Sequence, residues 1–205
     1  PDRYGQLLDF YGGRADLRRE LVRVLHSLSF VEDPTRILRA VRLEQRLAFR
    51  IEPRTEELVA DAVGLLERTS GDRIRHELYR ILEEPRDVPS RTLRRLDELD
   101  VLATIHPALD WTPAIDVRLT RLRESPGCLT TREVDQSIVA DAALADANRV
   151  PAPYSLALLA YDLDATAIEG VALALKLSRA DLRLLREVVA LRACLPKLTA
   201  PDVSP

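Results

Sequence analysis

Between residues 29 and 46 the chain gathers side chains suited to binding anions and reading hydrogen-bonding edges. The run is Ser29-Phe30-Val31-Glu32-Asp33-Pro34-Thr35-Arg36-Ile37-Leu38-Arg39-Ala40-Val41-Arg42, followed by Arg46. On a helix turning about 100° per residue, Arg36, Arg39, Arg42 and Arg46 share an arc of about 120°, with Ile37, Leu38 and Val41 on the other side. A guanidinium is a fork of donors that matches phosphates and base edges. Asp33 beside Arg36 adds an acceptor, so the pair suits a base edge: carboxylate to an exocyclic amino group, guanidinium to the neighbouring ring nitrogen and carbonyl. Like charges at this spacing repel by roughly a few tenths of a kcal/mol per pair, so something acidic must face them. Two compensators are open: acids from elsewhere in the fold, or a triphosphate or nucleic-acid backbone. Asp33 has a second job open to it as well, because Asp is a good helix N-cap.

The elements that hold these residues read as helices. Asp33 as N-cap and Pro34 in the first turn start one helix that runs to about Leu47. Before it, a possible short strand at Gln6 to Phe10 and a break at Gly12-Gly13 lead into a helix from Asp16 to Leu28, with Leu17, Leu21, Val24, Leu25 and Leu28 on one face. After it come helices at Pro53 to Glu67 and at Asp72 to Glu83, the latter with Ile74, Leu78, Ile81 and Leu82 inward. Ser90 is read as the cap of the next helix. Capping boxes at Thr130 with Glu133 and at Ser178 with Asp181 open two more, toward Ala147 and Cys194. Ser155 to Tyr161 and Ile168 to Leu177 read as short buried helices. The fold class is all-α, with at most a short strand remnant at the N-terminus.

Composition excludes several functions. No apolar run approaches the ~18 residues of a membrane span and no signal-peptide core is present, so the expectation is a cytoplasmic protein with no membrane partner. Cys128 and Cys194 have neither disulfide-framework nor zinc spacing and are read as buried thiols. His26, His76 and His106 are the only histidines, and none is followed by Asp, as a metal phosphohydrolase would require. Asp162-Leu163-Asp164 lacks a preceding strand-turn signal and is read as a helix-end feature rather than a metal site. Residues 1–50 hold 10 Arg against 7 acids, whereas residues 51–100 hold 9 against 13, so a polyanion would meet the first segment.

The order of motifs adds a resemblance. Glu32-Asp33-Pro34-x-Arg36-Ile37-Leu38-Arg39-Ala40-Val41-Arg42, followed by Arg46-Leu47-Ala48-Phe49-Arg50-Ile51-Glu52-Pro53, resembles the class II family of bacterial tRNA nucleotidyltransferases and poly(A) polymerases. Leu8-Asp9-Phe10-Tyr11-Gly12-Gly13-Arg14-Ala15-Asp16-Leu17 is similar to the family's D-P-x-G-G-x-x-D-L motif, without its proline. Ser70-Gly71-Asp72-Arg73-Ile74-Arg75-His76-Glu77-Leu78 is similar to its S-G-E-R-I-x-x-E-L motif. A departure is Leu43-Glu44-Gln45, where many members carry an aromatic and small residues.

The resemblance implies that residues 1–28 end a catalytic head, 29–87 form a helical neck and 88–205 a helical body that binds tRNA. It implies that Asp33 and Arg36 read the incoming CTP or ATP, that Arg39 and Arg42 help to hold it, and that Glu32, Arg73 and Glu77 support them, the last two as an i, i+4 helix pair. The parent enzyme would add C or A, or both, to the 3′ end of tRNA or another RNA. Its Mg2+ would sit on carboxylates of the head that these 205 residues do not include, leaving no catalytic residue here. The alternative is a stand-alone, non-catalytic helical module that binds RNA or protein. Far-UV circular dichroism should show a predominantly helical spectrum; a substantial sheet signal would overturn the fold class.

Overall fold

A computed structural model describes residues 8–124 and 150–198. Asp9 organises the start: its carboxylate accepts the backbone N–H groups of Gly13 and Arg14 at 2.8 Å each, with Gly12 at φ 75° turning the chain between them. The Arg14 amide in particular holds the Asp9 carboxyl below its ordinary value. Helix α1, Gly13–Arg19, follows and stops at Glu20, which is left-handed at φ 57°.

Here the structure departs from the pattern. The helix expected from Asp16 to Leu28 ends at Arg19, and Leu21–Val22 form a strand, β1, paired in parallel with β2, Arg50–Ile51. Arg50 N–H donates to Glu20 O at 2.9 Å and Glu52 N–H to Val22 O at 3.0 Å. Of the expected inward face Leu17, Leu25 and Leu28 are exposed and only Leu21 and Val24 are half-buried, so a continued helix would gain little burial from the described residues. Leu8 to Phe10 form no strand, and Gln6 and Leu7 lie outside the described residues. So do Cys128 and the helix expected from Thr130.

Among the described residues the rest is helical: α2 Ser29–Glu32, α3 Arg36–Leu47, α4 Pro53–Ala62, a 3-10 helix Val63–Arg68, α5 Gly71–Leu82, α6 Val88–Glu98, α7 Val101–Ile105, α8 Pro113–Glu124, α9 Ala152–Leu159, α10 Ala165–Ala174 and α11 Arg179–Leu198. The all-α reading therefore holds, with one two-stranded sheet. Glu52 caps α4 by accepting from Thr55 N at 2.7 Å and Thr55 Oγ1 at 2.9 Å, with Pro53 in the first turn. Ser178 Oγ accepts from Asp181 N at 3.1 Å, as the capping box requires. Ser90, read as a cap, is instead buried within α6, which starts two residues earlier at Val88.

One apolar core joins these elements. Leu38 and Val41 of α3, Leu78, Ile81 and Leu82 of α5, and Leu93 and Leu96 of α6 are fully buried, and the same cluster continues through Leu156, Ile168, Val171 and Leu185 of the C-terminal helices. None of the described helices is long and apolar enough to cross a membrane.

The join between α5 and the C-terminal helices is unusually close. A Cβ on Gly71 would lie 2.0 Å from Ala174 O, so only glycine fits where α5 begins. Arg75 then donates to Leu175 O at 3.1 Å and to Lys176 O, satisfying carbonyls at the end of α10. Tyr79 Oη donates to Asp181 Oδ2 at 2.9 Å. Gly170 similarly leaves room for the His106 ring, whose Nε2 would lie 2.4 Å from an added Cβ. Gly71→Ala should destabilise the protein by about 1–3 kcal/mol in urea unfolding, because the obstructing atom is backbone. Gly64→Ala, whose Cβ would meet nothing within 4 Å, should stay within about 1 kcal/mol of the parent in the same measurement.

Candidate functional site

The junction between α2 and α3 carries the first motif. Asp33 leaves α2 in an extended conformation, φ −146° and ψ 94°, and Pro34 and Thr35 are buried beneath it. Arg36 N–H donates to Asp33 O at 3.1 Å and Ile37 N–H to Pro34 O at 3.0 Å, a tight entry turn. Regular helix accordingly begins at Arg36, and Pro34 sits in that turn rather than in the first turn of α3. Proline's fixed φ and missing N–H suit this place equally well. Asp33 is not the N-cap of α3, a position that falls on Thr35 and has no side-chain cap; it holds the entry turn instead, Oδ1 accepting from Thr35 N at 3.1 Å and from Thr35 Oγ1 at 2.6 Å.

A third group reaches the same oxygen. Arg73 Nη2, from the first turns of α5, lies 2.7 Å from Asp33 Oδ1. The expected Arg73–Glu77 pair is therefore not formed; Glu77 is instead 3.8 Å from Arg80, and its Oε2 is buried without a hydrogen-bond partner. Sequence spacing made Glu77 the local partner, but the tertiary fold brings a carboxylate from another element closer. Asp33, Thr35, Asp72, Arg73, His76 and Glu77 line an open cleft of about 400 Å³. Three of the seven residues picked out by sequence, Asp33, Arg73 and Glu77, are thus gathered in one place.

The arginine stripe divides. Arg36 is anchored locally: Nη1 donates to Ser29 O at 3.2 Å and lies 3.5 Å from Glu32 Oε2, an acid that also stands 3.6 Å from His26 Nε2. Arg39 is exposed and makes no hydrogen bond or ion pair among the described residues. Arg42 is only 12% exposed, and its Nη1 meets Glu84 Oε1 at 3.1 Å; Arg46 reaches the same oxygen at 3.6 Å. Glu84, from the acid-rich segment, answers Arg42 and Arg46; Arg39 is left to face outward.

Two residues that position the site were not selected from the sequence. Glu44 lies on the buried side of α3, where Oε1 accepts from Ile51 N at 3.0 Å and Oε2 stands 3.4 Å from Arg95 Nε. The signal was an acid at a helix position that an apolar residue would ordinarily fill. Thr35 is the other, signalled by Asp-Pro-Thr at a helix start, where a hydroxyl two residues after Asp can meet its carboxylate.

The remaining candidates are structural. Asp162 accepts two bonds from Arg118, at 2.7 and 3.1 Å, while Asp164 caps α10 through Ala167 N at 2.8 Å. Tyr161 is flanked by the guanidiniums of Arg118, 4.3 Å from the ring centroid, and Arg192, 5.7 Å away. Cys194, read as buried, is exposed on α11. Among the described residues no group of three or more His, Cys, Asp or Glu is placed to hold a metal ion.

Comparison with known proteins points one way. Residues 48–112 match the family model described as the probable RNA and SrmB-binding site of polymerase A. An A-adding tRNA nucleotidyltransferase of Geobacter sulfurreducens is 46% identical over 112 residues, which is 54% of this chain and 12% of that protein. Two solved structures align over 93% of this chain at 36% identity: a CCA-adding enzyme with ATP, TM-score 0.71 and 42% of its chain covered, and a Thermotoga maritima CCA-adding enzyme complexed with tRNA, TM-score 0.70 and 43% covered. The chain thus spans less than half the length of each of these proteins.

The divided stripe sets different expectations for neighbouring arginines. Arg42→Ala leaves the buried Glu84 carboxylate with Arg46 alone and should cost about 3 kcal/mol in equilibrium unfolding. Arg39→Ala should change stability by less than about 0.5 kcal/mol.

Proposed function

We propose that this chain, a class II CCA-adding-enzyme-like protein over the region it spans, selects the incoming nucleotide and binds RNA for an enzyme that adds C or A to tRNA 3′ ends. Residues 29–87 serve as its neck and 88–205 as its body, with residues 1–28 closing a head. The observation that carries the reading is that Asp33 and Arg36 flank a single turn and each is anchored by its own partners. Asp33 is held by Thr35 and Arg73, and Arg36 by Glu32 and the Ser29 carbonyl. An acceptor and a fork of donors fixed side by side match the Watson–Crick edges of cytosine and adenine, which both offer an amino donor beside a ring acceptor. Preorganisation of this kind makes recognition specific, because little freedom is lost on binding.

The other residues take roles that follow from where they sit. Arg39 is exposed on the same helix, one turn on, and suits the triphosphate. Arg42 combines a nucleotide-holding role with the bracing of α3 through Glu84. Glu77 and Arg73 frame the cleft beside Asp33. RNA is met chiefly through its backbone and shape, as befits A-form helices, on the helices from α4 onward.

Nucleotidyl transfer calls for divalent metal, taken to be Mg2+, to activate the attacking hydroxyl and steady the triphosphate. The described residues offer no ligand cluster for it, so we assign them no step in that chemistry. The 205 residues alone should show no Mg2+-dependent addition to tRNA, and addition by them would place the active site here. In the parent enzyme, Asp33→Asn should keep the bond to the Thr35 amide and the melting behaviour within about 1 kcal/mol, since Asn makes such a turn about as well as Asp and the half-exposed ion pair with Arg73 contributes little. Its discrimination of CTP and ATP, offered separately, against UTP and GTP should relax. Unchanged selectivity in both Asp33→Asn and Arg36→Ala would refute the base-reading unit.

A further inference from the structure

The two oxygens of the Asp33 carboxylate are used unequally. Oδ1 takes every hydrogen bond the group accepts among the described residues, from Thr35 N at 3.1 Å and Thr35 Oγ1 at 2.6 Å, and the nearest approach of Arg73, whose Nη2 lies 2.7 Å away. Oδ2 accepts no hydrogen bond among those residues, and the side chain is 25% exposed where it lines the cleft. Two hydrogen bonds and an ion pair on one oxygen leave the other with its lone pairs available. They also remove the freedom that an Asp side chain ordinarily has at χ2, a broad, two-fold torsion.

The donors come from opposite sides of the site. Thr35 is buried directly after Pro34, so its backbone N–H and its hydroxyl are fixed by the entry turn of α3. A carboxylate only accepts, so the Thr35 hydroxyl donates its proton to Oδ1. Arg73 arrives from α5, whose start is pinned against Ala174 by Gly71. Movement of Asp33 therefore has to disturb two elements at once.

We propose that Thr35 and Arg73 are positioning residues for nucleotide selection, clamping Asp33 through Oδ1 so that Oδ2 accepts from the amino group of cytosine or adenine. This rests on the reading of Asp33 as a base-reading residue. The clamp supplies selectivity because a carboxylate free to swing can meet a base through a bridging water, and water donates to a uracil carbonyl as readily as it accepts from an amino group. A fixed Oδ2 faces the carbonyl of uracil or guanine acceptor to acceptor, with no proton between them. The opposite role for Arg73, as a cation that competes with the base for Asp33, predicts effects of the opposite sign.

The test measures kcat/KM for CTP, ATP, UTP and GTP in the parent enzyme, together with urea unfolding, for Thr35→Val, Thr35→Ser, Arg73→Ala and Asp33→Asn. Thr35→Val and Arg73→Ala should each lower the preference for CTP or ATP over UTP by about tenfold to a hundredfold, the scale of a misplaced recognition group. Thr35→Ser, which keeps the hydroxyl, should restore the preference, a rescue that a purely structural role for Thr35 would not tie to selectivity. Arg73 is half exposed, so its variant tests the clamp even if Thr35→Val unfolds. A rise in kcat/KM for CTP and ATP in Arg73→Ala would overturn the clamp in favour of competition. Wild-type selectivity in Thr35→Val and Arg73→Ala alongside relaxed selectivity in Asp33→Asn would overturn the clamp and leave base reading standing. Unchanged selectivity in Asp33→Asn would bring down base reading, and the clamp with it.

Discussion

A carboxylate buried on the inner side of α3 determines where that helix can lie. Glu44 is shielded from water, and a charge taken out of water is tolerated only when paired and hydrogen-bonded. Its partners come from two other elements, the Ile51 amide of β2 and the Arg95 guanidinium of α6, and Arg95 is itself held by Glu56 of α4 and Glu98. Rotating α3 about its axis by even one residue, about 100°, would carry Glu44 away from both partners. The arrangement therefore fixes the helix's rotation as well as its place. From that rotation it follows that Arg36, Arg39 and Arg46 point out of the core and that Asp33, at the near end, meets α5.

With the helix fixed, the four arginines are no longer equivalent, although their spacing made them look so. Burial decides between them. An ion pair with one fully wet partner contributes about 0–1 kcal/mol, and Arg46 at the surface belongs near that end. Arg42 shares the same carboxylate from a nearly enclosed position, where removing one partner leaves the other charge uncompensated. Arg39 has nothing to lose internally, which makes its charge available to a ligand. One periodic stripe thus supplies a brace and an open cation within a single turn of helix.

What the sequence revealed follows the range of the interactions involved. The inner faces of α3 and α5 were legible, because Ile37, Leu38 and Val41, and Ile74, Leu78, Ile81 and Leu82, repeat at helical spacing, and all are buried. That Asp33 would bond backbone at the entry to α3 was legible for the same reason, because such bonds are local, although the N-cap position itself falls on Thr35. Arg73 was given the wrong partner, since the i, i+4 rule ranks only neighbours on one helix and Asp33 lies forty residues away in sequence. The strand at Leu21–Val22 gave no periodic signal at two residues long and exists through its pairing with Arg50–Ile51. Motif resemblance assigned Asp33 and Arg36 to a ligand where spacing left a ligand and an internal acid both open, and it carried no information on which oxygen of Asp33 would be engaged.

Helix α5 is where these separate constraints meet. Taking Gly71 as zero and about 100° per residue, Gly71, Arg75 and Tyr79 occupy a sector from 0° to about 80°, while Arg73 and Glu77 fall near 200° to 240°. The buried Ile74, Leu78, Ile81 and Leu82 fill the arc of about 100° that joins them, from 280° through 0° to 20°. The first sector grips α10 and the start of α11 through the Ala174 contact, the Leu175 and Lys176 carbonyls and Asp181. The second faces Asp33 and the cleft. A single helix three turns long therefore touches the turn that holds Asp33 on one side and the C-terminal helices on the other, so the position of Asp33 and the packing of the C-terminal half are set by the same element.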